Sequence, residues 1–212
     1  MRIIALASQK GGVGKTTIAG HLAVEAEKAG AGPVALLDTD PQGSLAAWWN
    51  ARTAETPLFA QAEVAKLRLQ LSELATAGIN LAIIDTPPAI TENIRAVVEA
   101  SDLVLIPTRP SPHDLRAVGA TVDVVETARK PMVFIVNGAA PRAKITGDAA
   151  VALSQHGTVA PVTLHQRVDF AVSMIDGRTA GELDAGSNSA REVAELWIYV
   201  NARISKAGRE AA

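Results

Sequence analysis

The stretch "SQKGGVGKTT" at residues 8–17 decides the fold, because it nearly satisfies the phosphate-loop pattern G-x-x-x-x-G-K-[ST]. Gly14, Lys15 and Thr16 are in place, but Gln9 stands where the first glycine of the pattern is expected. An apolar, strand-like run precedes the loop and a helical pattern follows it. This is the context that the motif requires, so we expect polyphosphate to bind here.

Six short apolar runs that do not alternate with polar residues predict buried parallel strands. They lie at 2–7, 34–38, 81–85, 103–107, 132–136 and 158–162. Helical patterns between them lie at 16–28, 62–75, 91–99 and 114–127. This repetition predicts an α/β fold, a doubly wound, mostly parallel sheet with helices on both faces. The length of 212 residues favours a single domain over residues 1–212.

Composition excludes several classes of function. Apolar residues make up 48% of the chain, and no uncharged apolar run reaches the ~18 to 20 residues that span a bilayer. The chain has no cysteine and therefore forms no disulfide, thiolate metal site or iron–sulfur ligand. No signal-peptide pattern opens the sequence, so we expect a cytoplasmic protein. The histidines show no metal-ligand spacing, and we interpret all four as structural or surface residues: His21, His113, His156 and His165.

The C-terminal stretch from Ser187 predicts an amphipathic helix. Its apolar residues recur at helical spacing, at Val193, Leu196, Trp197, Val200 and Ile204. We expect this stripe to pack on the sheet. A membrane-surface helix is the alternative because basic residues follow the stripe, although the polar face also carries two glutamates.

The loop residues have separate expected roles at a polyphosphate. Gly11, Gly12 and Gly14 let backbone N–H groups approach the phosphates closely. Lys15 reaches the β- and γ-phosphates, and the Thr16 hydroxyl is suited to ligating Mg²⁺.

Three aspartates follow neighbouring predicted strands. Asp85, in "DTPPAI", has the placement of a second Mg²⁺ ligand, or of a turn cap. Asp38 and Asp40, in "DTDPQG", lie two residues apart, so both side chains point to one face if the strand continues. We expect one to help hold the metal shell and the other to orient a water at the γ-phosphate. Capping of the following helix is the alternative for Asp40.

Three motifs in this order, "KGGVGKTT", "DTDPQG" and "IIDTPP", resemble the deviant Walker-type ATPases of the ParA/MinD family. The later segments "PTRPSPHDL", "IVN" and "LHQRVDFAVSM" are also similar, so the resemblance covers nearly the whole chain. It implies a phosphate-loop NTPase fold that dimerises face to face around two ATP molecules with Mg²⁺. In this family the first glycine is dispensable and a lysine beside it is diagnostic, and here that lysine is Lys10.

The resemblance also implies roles for individual residues. Lys10 reaches the partner subunit's phosphates, where added positive charge would stabilise the transition state. Asp40 positions the catalytic water and is a metal-site residue, Asp85 takes the second metal position through water, and Asp38 is a further candidate for the water or metal shell. Asn137, which ends "MVFIVN", contacts adenine. The residues implied to bind the phosphates are Gly11, Gly12, Val13, Gly14, Lys15, Thr16 and Thr17.

Within the family, the sequence resembles small ParA-like partitioning proteins. The absence of cysteine disfavours the iron–sulfur members, the tail is a poor match to the basic MinD membrane helix, and strand one starts too early for an N-terminal helix-turn-helix domain. The resemblance implies a homodimer, non-specific DNA binding and release by a ParB-like or other adaptor with a basic N-terminal segment. We expect association with the nucleoid of a bacterium or archaeon and no membrane binding.

The cargo remains open between a plasmid or chromosome and a protein cluster. A MinD-like or synthase-associated organiser, and a cobyrinate-synthase-type metabolic ATPase, are the alternatives. Residues 129–212 carry ten Lys/Arg and eight Asp/Glu, against ten and 14 before them. This more basic part holds the candidate DNA contacts, and an ordinary surface role is the alternative for each of them: Arg142, Lys144, Arg167, Arg178 and Arg203.

Overall fold

A computed structural model describes residues 1–88 and 92–210. Its strands form one eight-stranded sheet in the order β3-β2-β4-β1-β5-β6-β7, with β8 paired to β6. Every strand pair in it is parallel. The strands are β1 (Arg2–Leu6), β2 (Val34–Asp38), β3 (Leu58–Gln61), β4 (Leu81–Asp85), β5 (Leu103–Thr108), β6 (Met132–Ala139), β7 (Thr158–Val159) and β8 (Leu164–His165).

Helices connect these strands. They are α1 (Lys15–Lys28), α2 (Ser44–Ala51), α3 (Leu67–Thr76), α4 (Glu92–Ala100), α5 (Pro112–Thr127), α6 (Lys144–Ser154), α7 (Val168–Ser173), α8 (Ala180–Leu183) and α9 (Asn188–Glu210). The predicted α/β class and doubly wound parallel sheet are confirmed.

Helices cover both faces of the sheet, which explains why the strand sequences are almost continuously apolar. On β1, Ile4 and Leu6 pack with α1, α2 and α9, whereas Ala5 packs with α3 and α4 on the opposite face. Each of these three β1 residues is fully buried. The alternation of side chains along a strand therefore supplies both cores from one short segment.

The predicted C-terminal helix forms as α9, and its apolar stripe is buried in the same core cluster as α1. The exposed fractions of Trp197, Val200 and Ile204 are 2%, 0% and 1%. A stripe packed in this way is not free to enter a membrane surface, so the structure favours the expected packing on the sheet. Among the described residues, no helix is both long and apolar enough to cross a bilayer.

Other predicted boundaries were wrong. The segment 62–75 is not one helix, because a 3₁₀ turn (Val64–Lys66) precedes α3. The run 158–162 forms only the two-residue β7, and the edge strand β3 was not predicted. The helix expected after Asp40 forms as α2, although no bounds were predicted for it. Thr91, the expected first residue of α4, lies outside the described residues, as do Ala89 and Ile90 of the "DTPPAI" segment.

Candidate functional site

The phosphate loop lies between β1 and α1, where the sequence predicted it. Gly12 and Gly14 have φ of 71° and 95°, values that favour glycine. A Cβ on Gly14 would also collide with the side-chain amide of Asn137. Gly14 is the residue before α1, so the N–H groups of the first helical turn, which have no partner within the helix, follow it directly. The loop has the geometry of an anion site.

The missing first glycine has a structural explanation. Gln9 is not among the residues with positive φ, so its backbone does not require glycine. Its N–H donates to Thr121 Oγ1 of α5 at 3.2 Å. A side chain is tolerated at this position because it is exposed.

Lys15 is held inside the loop. Its ammonium donates to the carbonyl oxygens of Ser8 and Lys10, both at 3.4 Å, and only 7% of the residue is exposed. Burial lowers the pKa of Lys15, although the carboxylates of Asp85 and Asp40 act in the opposite direction. A partly desolvated cation whose hydrogen-bond partners among the described residues are carbonyl oxygens is suited to an incoming phosphate.

Thr16 and Asp85 lie together, as a shared metal site requires. The Thr16 hydroxyl donates to Asp85 Oδ2 at 2.6 Å. Asp85 is the register partner of both Leu6 on β1 and Asp38 on β2, so the parallel pairing brings the ends of three strands to one edge. Burial raises the pKa of Asp85 to about 7, against the lowering effect of the Thr16 hydrogen bond. These hard oxygen donors fit Mg²⁺, which would favour the ionised carboxylate.

Asp38 and Asp40 have different surroundings. Asp38 is fully buried, and its two carboxylate oxygens accept the N–H groups of Asp40 at 2.9 Å and Ala46 at 3.1 Å. Burial raises its pKa, against the effect of these hydrogen bonds. Asp40 is half-buried, and its Oδ1 accepts the Gln42 N–H at 2.9 Å. Asp38, rather than Asp40, therefore holds the first turn of α2.

Lys10 differs from Lys15 in its exposure. It lies on the solvent side of the loop, and no ion pair joins its ammonium to a carboxylate within the described part of the chain. Its backbone is fixed, because its N–H donates to Ser8 Oγ at 3.3 Å and its carbonyl accepts from Lys15. The exposed ammonium is therefore accessible to a group outside this chain.

A pocket of about 270 Å³ continues from the phosphate loop. Asn137 lies at its wall and donates to the Val13 carbonyl at 2.6 Å, so its amide also fixes the loop. Sequence reasoning missed other residues of this wall, which come from the ends of β5 and β8, namely Arg109, His165 and Gln166. These residues lie within the segments "PTRPSPHDL" and "LHQRVDFAVSM", whose resemblance to the family was the available signal.

Two of the four histidines have defined structural environments. His21 is buried, its Nδ1 is 2.7 Å from the Thr17 carbonyl, and its Nε2 accepts the Ala180 N–H at 3.0 Å. This fixes the neutral tautomer with the proton on Nδ1. Burial lowers the pKa of His21 to about 4. His165 Nδ1 lies 2.8 Å from Glu192 Oε1. No group of three or more metal-binding side chains occurs among the described residues.

The five candidate DNA contacts do not form one uniform patch. Arg142 and Lys144 are exposed near the start of α6. Arg167 pairs with Glu192 at 2.6 Å and Arg178 with Asp176 at 2.6 Å. Arg203 donates to Thr158 Oγ1 at 2.9 Å. Three of the five cations thus already have polar partners in the folded chain.

The fold and this edge define a class: a phosphate-loop nucleotide-binding α/β protein. Residues 4–179 match the CbiA family, described as the CobQ/CobB/MinD/ParA nucleotide binding domain. This match covers most of the chain, and the protein therefore belongs to that family. The resemblance to ParA/MinD proteins inferred from the motifs is confirmed.

Relatives agree with this assignment. The chain is 43% identical over 122 residues to Maintenance of carboxysome distribution protein A of Gloeobacter kilaueensis, covering 57% of this chain and 55% of that protein. It is 29% identical to the protein of the same name from Halothiobacillus neapolitanus, over 89% and 91%. Protein ParA of Rhizobium radiobacter is 33% identical over 54% and 51%.

Solved structures share the fold. Apo McdA from Cyanothece superposes with a TM-score of 0.77 at 18% identity, covering 92% of this chain and 98% of that one. The Mg-ADP complex of the septum site-determining protein MinD from Pyrococcus horikoshii gives 0.77 at 17% identity, covering 94% and 95%.

Proposed function

We propose that this protein is an ATP-dependent positioning ATPase. It binds ATP and Mg²⁺, forms a face-to-face homodimer around two nucleotides, binds DNA without sequence preference in that state, and is released when an adaptor stimulates hydrolysis. The observation that carries this proposal is the convergence of Lys15, the Thr16–Asp85 pair and Asp40 at one sheet edge, beside an exposed Lys10.

Each side chain contributes one part of the chemistry. Backbone N–H groups of residues 11–17 and the Lys15 ammonium bind the phosphates, and Thr16 and Asp85 would hold Mg²⁺. Mg²⁺, when bound, supplies charge neutralisation at the phosphates. Asp40 orients the attacking water, since its carboxylate has one oxygen free of the Gln42 contact. Asp38 supports Asp40 through the backbone rather than entering the metal shell.

The cargo that the relatives favour is a protein assembly. Two relatives are named for carboxysome distribution, and one of them aligns over 89% of this chain, whereas the ParA match covers 54%. We propose a carboxysome-type protein cluster ahead of plasmid or chromosome DNA. The adaptor would be a protein with a Lys/Arg-rich N-terminal segment, and adding such a peptide together with DNA should raise the ATPase rate.

Substitution of Lys10 provides a test of the proposed nucleotide-dependent dimer. Sedimentation velocity with a non-hydrolysable ATP analogue and Mg²⁺ should convert the unaltered chain from monomer to dimer. Lys10→Ala should retain nucleotide binding but lose dimer-dependent hydrolysis, because it removes a charge that acts across the interface. Lys66→Ala is the matched control, since Lys66 is an exposed lysine that pairs with the nearby Glu63. Full hydrolysis by Lys10→Ala would contradict the proposal.

DNA binding is tested with two duplexes of unrelated sequence. Affinity for both should appear with ATP and fall steeply as salt increases, because phosphate contacts release counterions. Equal binding in the apo and ATP states would count against a nucleotide switch. Amidation of a small-molecule acid without any DNA effect would instead support the metabolic alternative.

A further inference from the structure

The segment 177–182 lies directly against the C-terminal end of α2. Gly177 has φ of +76°, and a Cβ at this position would collide with the backbone of Ala51 and Arg52. Contact this close between two backbones allows no side chain. The backbone of this segment is therefore in direct packing contact with the backbone at the end of α2.

Arg52 fixes this contact. Its guanidinium donates to both carboxylate oxygens of Glu182, at 2.8 and 2.6 Å, and to the carbonyl oxygens of Gly177 and Thr56, each at 2.8 Å. The Arg52 side chain is only 4% exposed and lies 5.4 Å from the centroid of the Trp48 ring. Four of the five N–H donors of the arginine fork are used, a geometry that lysine cannot reproduce.

Two further contacts belong to the same joint. Trp48 Nε1 donates to the Arg178 carbonyl at 3.0 Å. Glu182 Oε2 also accepts the Thr179 N–H at 2.8 Å, so this carboxylate holds the start of α8 as well. We call Trp48, Arg52, Gly177 and Glu182 the α2 clasp.

The opposite end of α2 leads to the candidate catalytic aspartate. Asp38 Oδ2 accepts the Ala46 N–H in the first turn of α2, and Asp38 Oδ1 accepts the Asp40 N–H. The Gly43 N–H, just before α2, donates to the Asp40 carbonyl at 2.9 Å. An eight-residue helix is about 12 Å long and moves as one rod, so its orientation sets the position of this loop.

The clasp is also connected to the phosphate loop. The Ala180 N–H, within the clasped segment, donates to His21 Nε2, and His21 Nδ1 donates to the Thr17 carbonyl. The segment 177–182 therefore contacts two helices. One is α2, which follows the Asp40 loop, and the other is α1, which follows the phosphate loop.

We propose that Arg52 and Glu182 are positioning residues that hold Asp40 in register with the phosphate loop. This inference rests on the proposed role of Asp40. Neither residue lines the pocket beside the phosphate loop, and both act through α2. A displacement of about 1 Å at a catalytic group costs on the order of 10²-fold in rate, so a small tilt of α2 would be measurable.

The kinetic test uses Arg52→Lys, Glu182→Gln and their double variant. Arg68→Lys is the control, because Arg68 forms an exposed ion pair with Glu99 at 3.5 Å. The two clasp variants should lower kcat about tenfold and change nucleotide Kd less than about twofold. The loss in the double variant should be smaller than the sum of the two single losses, because the Arg52–Glu182 contact is common to both. A kcat equal to that of Arg68→Lys would overturn the proposal.

Hydrogen exchange separates positioning from stability. The Gln42 and Ala46 amides, which bond Asp40 and Asp38, should exchange faster in both clasp variants than in the unaltered chain. The Ala128 amide at the end of α5 is the internal reference. Unchanged exchange at Gln42 and Ala46 would overturn the proposal, even if melting temperature falls. If the unaltered chain shows no turnover, the proposed function fails, while exchange still decides whether the clasp holds the loop.

Discussion

The phosphate-loop edge (residues 8–17, 38–43 and 85–88) and the basic segment (residues 140–178) differ in how their charges are held. At the edge, Lys15 and Asp85 are buried and their pKa values are displaced toward the neutral forms. In the basic segment, Arg142 and Lys144 are exposed, whereas Arg167 and Arg178 are paired with carboxylates. Buried ionisable groups with shifted pKa values and no complete ion pairing are typical of binding and catalytic sites. The comparison indicates that the edge is prepared for a buried ligand, whereas in the segment only the exposed Arg142 and Lys144 are available for surface contacts.

The largest expected effect is at Lys15. Lys15→Ala should weaken ATP binding by about 100-fold or more, because it removes the charged donor to the phosphates. The apo protein should keep or gain stability, since a desolvated ammonium is removed. Isothermal titration calorimetry and urea unfolding measure both quantities, with the exposed Lys28→Ala as control. Unaltered ATP affinity would show that this edge is not the nucleotide site.

The second prediction separates the two aspartates after β2. Asp40→Ala should leave ATP binding and dimerisation intact and reduce turnover by about 10²-fold or more. Asp38→Asn should instead lower the free energy of unfolding by about 1–3 kcal/mol, because one buried oxygen that accepts an N–H becomes a donor. Steady-state ATPase assays and urea unfolding distinguish the variants. Equal kinetic losses at constant stability would place both carboxylates in the chemistry.

The phosphate-loop edge could be predicted from sequence because backbone rules dominate it. A strand, glycines and a helix start are local features, and parallel pairing then brings Asp38 and Asp85 together without further information. The different uses of Asp38 and Asp40 could not be predicted. They depend on where α2 begins, for which no boundary was predicted, and on where the Ala46 N–H points.

The basic segment was harder to predict for a related reason. Charge counting locates cations but not the carboxylates beside them, and Glu192 reaches Arg167 from a helix 25 residues later in the chain. The wall of the pocket was hard to predict for the same reason. Arg109 and Gln166 are distant in sequence, and the order of the strands in the sheet brings them together. The α2 clasp likewise joins residues 130 positions apart.

The third prediction concerns DNA and is smaller. The double variant Arg142→Ala/Lys144→Ala should weaken ATP-dependent DNA binding and reduce the slope of log affinity against log salt by about 2, one per phosphate contact. Arg178→Ala should change the slope less, because its guanidinium already pairs with Asp176. Filter binding across a salt series compares them. An equal loss from Arg178→Ala would mean that its ion pair opens on DNA.

The smallest expected effect in the unaltered chain is its pH dependence, because two buried groups oppose each other. His21 is neutral when folded, with a pKa of about 4 against an ordinary 6.5, so its contribution increases stability as pH rises. Asp85 is protonated when folded below about pH 7, against an ordinary 3.8, so its contribution decreases stability as pH rises. Each slope reaches at most about 1.4 kcal/mol per pH unit, and between about pH 5 and 6.5 they largely cancel.

Substitution should expose each contribution in turn. The stability of apo Asp85→Asn relative to the unaltered chain should increase with pH across this window, because the substituted chain lacks the Asp85 carboxyl, whose ionisation favours unfolding. The stability of His21→Gln relative to the unaltered chain should decrease with pH, because the loss of the His21 term removes a positive slope. Urea unfolding of apo protein at several pH values measures both differences. A stability difference that does not change with pH for Asp85→Asn would mean that Asp85 is already ionised in the apo fold. The carboxylate at the phosphate-loop edge would then not depend on Mg²⁺ for its ionisation.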